Sequence, residues 1–336
     1  MKKIARQVRL GTATVDRALN GRPHVSQQTL KRVAAAIIEL EAQEAQLAAR
    51  GRRLFVDIVV EAPRRFTREI RTASESAIYQ VSGGVIRPRF RFQELMTEDE
   101  VVAALCRARK NNSQGVRLKA RDTPVVREAV DRLAGAAIPV FTLVTDLPGT
   151  ARAAYIGLDN GNAGRTAAYL VAQGLKRAGS VALTVRSQDG FAGETERFQA
   201  FCAELTKLRP VGRIVDVAGG ADLRADTARR VSEELGRTGT VSAVYSIGGG
   251  NRAILAAMAE HGIGDVTFIA HDLDRENRQF LQEGAITFVL HHDLIADMRA
   301  LFGGVLKHHG LSAWSAPSFS SDVQIAGPHN VPSLHG

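Results

Sequence analysis

Two cysteines in 336 residues, Cys106 and Cys202, stand far apart, without CxxC spacing and without a neighbouring histidine cluster. That scarcity excludes a disulfide framework and a cysteine-built metal site, and both residues read as core thiols of a reducing compartment. No apolar run approaches the ~18 residues needed to cross a bilayer. The N-terminus has two lysines but neither the apolar core nor the cleavage site of a secretory signal, so the expectation is a cytoplasmic protein with no membrane partner. Catalytic constellations are missing as well: there is no Ser/His/Asp grouping, no activated cysteine and no carboxylate dyad, which points away from an enzyme. His271, His291 and His292 follow two different strands without metal-ligand spacing, so neither a metal nor another cofactor is expected.

Acid is nearly absent from the N-terminus. Residues 1–36 hold eight lysines and arginines against one carboxylate, Asp16. Over residues 1–53 the surplus of positive charge is seven of the chain's total of nine, so affinity for nucleic acid belongs there. Within this region Gly11-Thr12 opens a helical pattern whose apolar Val15 and Leu19 fall on one face for packing. Thr12, Ala13, Asp16 and Arg17 form a slim, mostly polar opposite face that fits a DNA major groove. Asn20-Gly21 stops this helix, and Ser26 caps a following one with Leu30, Val33, Ala34 and Ile37 as its apolar stripe. Helix, tight turn and helix suits a DNA reader, although a small charged helical bundle has the same periodicity.

After the cationic joint Arg50-Gly51-Arg52-Arg53, strands and helices alternate from Leu54 to Ile325, which predicts parallel sheets covered by helices on both faces. Gly157 to Gly164 and Gly248-Gly249-Gly250 lie at strand–helix turns, but neither fits GxGxxG or GxxxxGK[ST], and glycine at such a turn serves the backbone first. In open α/β sheets ligands lie beyond the carboxyl ends of the strands. Arg65, Phe66, Lys119, Asp146, Gln188, Phe191, Ser246, Asp272 and His292 occupy those places. Carboxylates with an arginine and an aromatic ring suit a polyol, by bidentate hydrogen bonds to hydroxyls and cover for a C–H face.

Two stretches carry a family resemblance. Thr14-Val15-Asp16-Arg17-Ala18-Leu19-Asn20-Gly21, followed by Val25-Ser26 and Thr29, resembles the DNA-binding headpiece of the LacI/GalR repressor family. Tyr155-Ile156-Gly157-Leu158-Asp159-Asn160 with Ala163-Gly164 is similar to a segment of the type I periplasmic-binding-protein fold that this family carries behind its headpiece. The resemblance implies that Thr12, Ala13 and Arg17 face base edges, that His24 reaches the groove edge, and that Ser26 and Thr29 hold phosphates. It also implies a ligand role for Asp272 and Arg197; the local alternatives are a turn cap shared with Asp274 and a helix-surface pair with Glu194 or Glu196. Val144 stands where the family has an aspartate, two residues before Asp146, and Ser246 replaces an expected asparagine. The family's Tyr-x-Pro-Asn entry to a hinge helix is missing, with Leu47 as the nearest leucine.

The implied fold is α/β, two doubly wound parallel-sheet subdomains preceded by a small all-α helix-turn-helix domain, with three chain crossings between the subdomains. Expected boundaries are a headpiece and hinge at 1–50, a first subdomain at 54–158 and 286–312, and a second at 159–285 and 313–336. The implied function is that of a transcriptional regulator, a repressor whose operator affinity responds to a sugar or polyol. Its partners would be operator DNA, that effector and a second copy in a homodimer, with a tetramer as the open alternative. A solute-binding protein or sugar-modifying enzyme of the same architecture is the competing reading.

Overall fold

The computed structural model describes residues 1–8, 10–23, 25–49, 52–175, 179–188, 190–209, 213–220, 224–312 and 320–332. Three helices come first: α1 (Lys2–Val8), α2 (Thr12–Leu19) and α3 (Gln27–Ala49). Ala5, Val8, Val15, Val33 and Ala36 close a small apolar core among them. Two expected packing residues are displaced: Leu19 is 43% exposed and Ala34 is exposed, while Ala18 and Ala36 fill the contacts instead. Of the stop signal only Gly21 takes a left-handed backbone (φ 62°), Asn20 remaining at φ −96°. Ser26 caps as expected, its hydroxyl accepting from the Thr29 N–H at 3.1 Å. The Arg32 guanidinium donates to the Val8 carbonyl at 2.8 Å and ties the end of α1 to α3. With no proline or glycine between Ser26 and Gly51, α3 runs unbroken for 23 residues through the stretch that lacks the family's Tyr-x-Pro-Asn hinge entry.

Behind the headpiece the chain alternates as its periodicity demands. The first sheet takes β1 (Arg53–Glu61), β2 (Val85–Gln93), β3 (Gly115–Lys119), β4 (Val140–Leu143) and β5 (Ala154–Leu158), with α4 (Arg64–Ala77), α5 (Glu98–Lys110) and α6 (Pro124–Gly135) between them. Side chains set the helix starts. The Thr97 hydroxyl accepts from the Glu100 N–H while the Glu100 carboxylate accepts from the Thr97 N–H, and Thr123 with Pro124 opens α6. The second sheet takes β6 (Val181–Val185), β7 (Arg213–Val217), β8 (Ala243–Ser246), β9 (Thr267–His271) and β10 (Phe288–His291). Its helices are α7 (Asn160–Gly174), α8 (Ala192–Leu208), α9 (Arg224–Thr238), α10 (Asn251–Glu260) and α11 (Arg275–Gln282). Helix α12 (Leu294–His308) and the short strands β11 (Ser320–Ser321) and β12 (Gln324–Ala326) complete the chain.

Strand order is β11-β5-β4-β3-β1-β2 in one sheet and β12-β10-β9-β8-β6-β7 in the other. All pairings are parallel except β10 with β12. Each sheet has an apolar layer on both faces, which is why β1 reads as a continuous buried run. The chain crosses between sheets three times, after β5, after β10 and after β11. The expected boundaries need correction here. Residues 288–291 belong to the second sheet, where Phe288 pairs with Ile269 and Leu290 with His271, and only from α12 onward does the chain return to the first. Ser320–Ser321, expected in the second subdomain, pair with Gly157 and Leu158 in the first. The physical reason is α11, which supplies the crossover from β9 to β10 that parallel pairing requires.

Cys106 is exposed on α5 and so is not a core thiol; Cys202 is partly buried, and burial pushes its thiol up to about 11. No described helix is long and apolar enough to cross a membrane.

Candidate functional site

The outer face of α2 presents Thr12, Ala13 and Arg17 to solvent, and Ser26 is exposed with Thr29 partly so at the start of α3. The backbone ordering of this surface is local: Arg17 Nε donates back to the Ala13 carbonyl at 3.2 Å, and Asp16 pairs with Arg22 at 3.1 Å. The Ser26 hydroxyl also lies 2.9 Å from the Thr29 hydroxyl, so the two residues expected at a phosphate form one hydroxyl pair. His24 and the side chain of Leu47 lie outside the described residues.

The second candidate site is the cleft between the carboxyl ends of the two sheets. Arg65, Phe66 and Lys119 line it from the first subdomain, and Gln188, Phe191, Arg197 and Asp272 from the second. Three expected residues do not line it. The Asp146 carboxylate is folded back onto the Arg152 guanidinium at 2.5 and 2.6 Å and onto the Thr142 hydroxyl at 2.7 Å. Burial alone would raise that carboxyl, but these donors outweigh it and hold it below the usual range. Ser246 is fully buried, its hydroxyl donating to the Gly249 carbonyl, and His292 is buried with Nδ1 2.7 Å from the Asp297 carboxylate. A residue just past a strand end still turns inward when a nearer polar partner exists.

Glu61, Glu94, Thr145, Ser187, Glu194 and Gly248 also line the cleft and were not anticipated. Their signal was available for four of them: Glu94, Thr145, Ser187 and Gly248 fall one or two residues beyond β2, β4, β6 and β8.

Two of the lining residues leave polar atoms unspent. Arg197 is 3% exposed; its Nε donates to Asn160 Oδ1 at 2.7 Å and Nη1 to the Ile247 carbonyl at 3.3 Å, while Nη2 has no partner. It pairs with neither Glu194 nor Glu196. Helix α8 can bring it there because Gly164 on α7 has no side chain: a Cβ at that position would stand 2.3 Å from the Arg197 carbonyl oxygen. Asp272 follows β9 with a left-handed backbone at φ 67°, and its carboxylate makes no hydrogen bond or ion pair within the described chain. The turn cap is Asp274, which accepts from the Asn277 N–H at 2.9 Å. Val144, at the end of β4, is left-handed too (φ 63°), a conformation costing a β-branched residue of order 1–3 kcal/mol. Both strained residues line the cleft.

Contacts across the cleft hold the subdomains together. Arg65 Nη1 lies 2.7 Å from Asp274 Oδ2, the Gln188 amide donates to Glu61 at 3.0 Å, and the Asp122 N–H donates to the Gly190 carbonyl at 2.8 Å. Lys119 Nζ donates to the Glu61 carbonyl at 2.9 Å and sits 3.8 Å over the Phe191 ring. Burial pulls the Lys119 ammonium below the usual lysine range, against the opposing pull of Glu194, Glu61 and Asp272. The lining atoms surround about 580 Å³, mouth included, and the contacts above span it. Among the described residues no group of three histidine, cysteine or carboxylate side chains is placed to hold a metal.

A family model of bacterial regulatory proteins of the lacI family matches residues 1–41, and one of the periplasmic binding protein domain matches residues 97–295, more than half of the chain. No curated protein matches the chain. Among solved structures, a solute binding protein from Burkholderia graminis in complex with D-arabinose is 20% identical, covering 85% of this chain and 98% of its own, with a TM-score of 0.74. GanP, a glucose-galactose binding protein from Geobacillus stearothermophilus, is 18% identical over 84% of this chain and 99% of its own, TM-score 0.72. A protein from Bacteroides fragilis assigned as a LacI transcriptional regulator is 15% identical over 83% and 98%, TM-score 0.73. At these identities the likeness is one of fold. With the two-sheet domain making up most of its length, the chain belongs to the periplasmic-binding-protein domain family and carries at its start a helix-turn-helix region of the lacI family of bacterial regulatory proteins.

Proposed function

We propose that this chain is a sequence-specific DNA-binding regulator, a repressor, whose operator affinity is set by a small neutral sugar or polyol held in the cleft. One observation carries the reading of the cleft: the unpartnered Asp272 carboxylate and the orphaned Arg197 Nη2 face the same space as Lys119 and Phe66. An acceptor, donors and apolar ring edges from both subdomains suit a ligand that displays hydroxyls on one side and C–H on the other. The arabinose- and glucose-galactose-binding proteins of the same fold support that class of ligand. The exposed Thr12, Ala13 and Arg17 face, in a headpiece dense with cations, supports operator binding. It also favours a regulator over a solute-binding protein or sugar-modifying enzyme, neither of which needs a cationic helical unit. Symmetric half-sites suit a C2 homodimer working in the cytoplasm.

The test pairs two titrations. A panel of pentoses, hexoses and polyols is titrated by calorimetry, and a duplex selected from a randomised pool is titrated by anisotropy. Asp272→Asn keeps a residue that tolerates the left-handed backbone while removing the charge, and should weaken the tightest sugar by about 1.5–3 kcal/mol with effector-free DNA binding unchanged. Arg17→Ala should do the reverse, weakening the selected duplex by roughly 1–3 kcal/mol and leaving the sugar alone. Unaltered sugar binding in Asp272→Asn would falsify the cleft assignment; an unaltered duplex affinity in Arg17→Ala would remove the headpiece one.

A further inference from the structure

All strands of the first sheet are parallel, so their amino ends share one edge, opposite the cleft, and β1 begins there directly behind the headpiece. Several elements converge on this base. The Val85 N–H donates to the Arg52 carbonyl, Phe55 pairs with Arg87, the loop after α5 reaches Phe55 through the Gln114 N–H at 2.8 Å, and His309 at the end of α12 lies 2.7 Å from the Gln114 carbonyl. The charged residues here are Arg52, Arg53, Arg87, Arg109, Lys110 and Lys307, all exposed. Among the described residues none of the six makes an ion pair or a side-chain hydrogen bond. Nearby acids are fewer and mostly engaged: Asp57 holds Arg89, Glu128 faces Arg132, Asp131 accepts from the Ala151 N–H, and Glu75 is unpaired.

Several exposed arginines of the second subdomain are paired instead. Arg229 sits between Asp226 and Glu233, Arg230 pairs with Asp226, Arg237 with Glu234 and Arg252 with Glu276. Cations at a helix end are favoured by the helix dipole, which accounts for Arg109, Lys110 and Lys307. It does not account for Arg52 and Arg53, at the start of β1, or for Arg87, near the start of β2.

We infer that the base of the first subdomain is a second DNA-contacting surface, which binds phosphates of the same duplex that the headpiece reads. The inference rests on the DNA-binding reading of the headpiece. Unneutralised arginines and lysines on the side where the headpiece is tethered complement a polyanion, and their contacts add affinity without adding sequence preference.

The experiment compares the full-length parent with R87Q/R109Q/K110Q on a selected duplex of about 50 base pairs, between about 50 and 200 mM KCl. An R229Q/R237Q variant controls for lost charge elsewhere. The triple variant should lower the slope of log K against log salt by roughly two to three, since each phosphate contact contributes about 0.9. It should bind at least tenfold more weakly at the low-salt end, with its preference for selected over unselected duplex unchanged; the control variant should match the parent. Equal slopes for parent and triple variant overturn this inference alone. Loss of duplex preference along with affinity also overturns it, because phosphate contacts are blind to sequence. A parent that shows no preference for the selected duplex sinks the headpiece reading itself.

Discussion

His271 shows how one buried residue ties the second subdomain to pH. Its Nε2 lies 2.7 Å from the Tyr245 hydroxyl in a fully buried pair, and burial, reinforced by Arg197 and His292, holds its imidazole well below the usual 6.5. The unfolded chain takes up a proton near that pH and the folded chain refuses it. Stability owed to neutral His271 is therefore complete above about pH 6.5 and is lost as pH falls below it, by up to about 1.4 kcal/mol per unit. His291 has the same sign, burial being again the first cause. His271→Gln keeps a hydrogen-bonding side chain without the titration, so its urea midpoint should fall less than the parent's between about pH 7 and pH 5.5. Identical falls would assign the acid sensitivity to other groups. His271 is legible in the sequence as a strand-end residue, but its partner Tyr245 lies 26 residues away in the chain and on another strand, beyond the reach of any local pattern.

At the scale of elements, legibility followed apolar periodicity and failed where polar residues dominate. The capped helices α5 and α6 and the buried run of β1 announce themselves in sequence. Helix α11, RENRQFLQ, does not: it offers only Phe280 and Leu281 as apolar anchors and starts from an aspartate cap inside a polar stretch. The expected boundary at residue 286 falls just after it and so puts β10 in the wrong sheet. The headpiece raises the complementary case, in which a single polar residue decides an element. The Ser26 hydroxyl accepts the Thr29 N–H at the start of α3, so Ser26→Ala should cost about 1 kcal/mol of headpiece stability. Amide exchange across residues 27–37 should speed up while the two-sheet domain is unaffected. Unchanged exchange there would mean that packing of Val33 and Ala36, not the cap, holds the start of α3.

For the whole molecule the two-sheet architecture and its three crossings were legible, because alternating periods and two motif resemblances span nearly the full chain. The closure of the cleft was not, since Arg65 and Asp274 lie 209 residues apart and neither motif mentions the pair. That closure has a kinetic consequence. Under the proposed reading a sugar enters only when the Arg65–Asp274 and Glu61–Gln188 contacts across the cleft part, so affinity would report those contacts as well as the ones inside. In stopped-flow mixing, the observed association rate should therefore stop rising at high sugar concentration and level off at the rate of opening. Arg65→Ala, which unlatches one side, should lift that plateau several-fold; a rate that climbs in proportion to concentration throughout, in parent and variant alike, would mean that the gate does not limit entry.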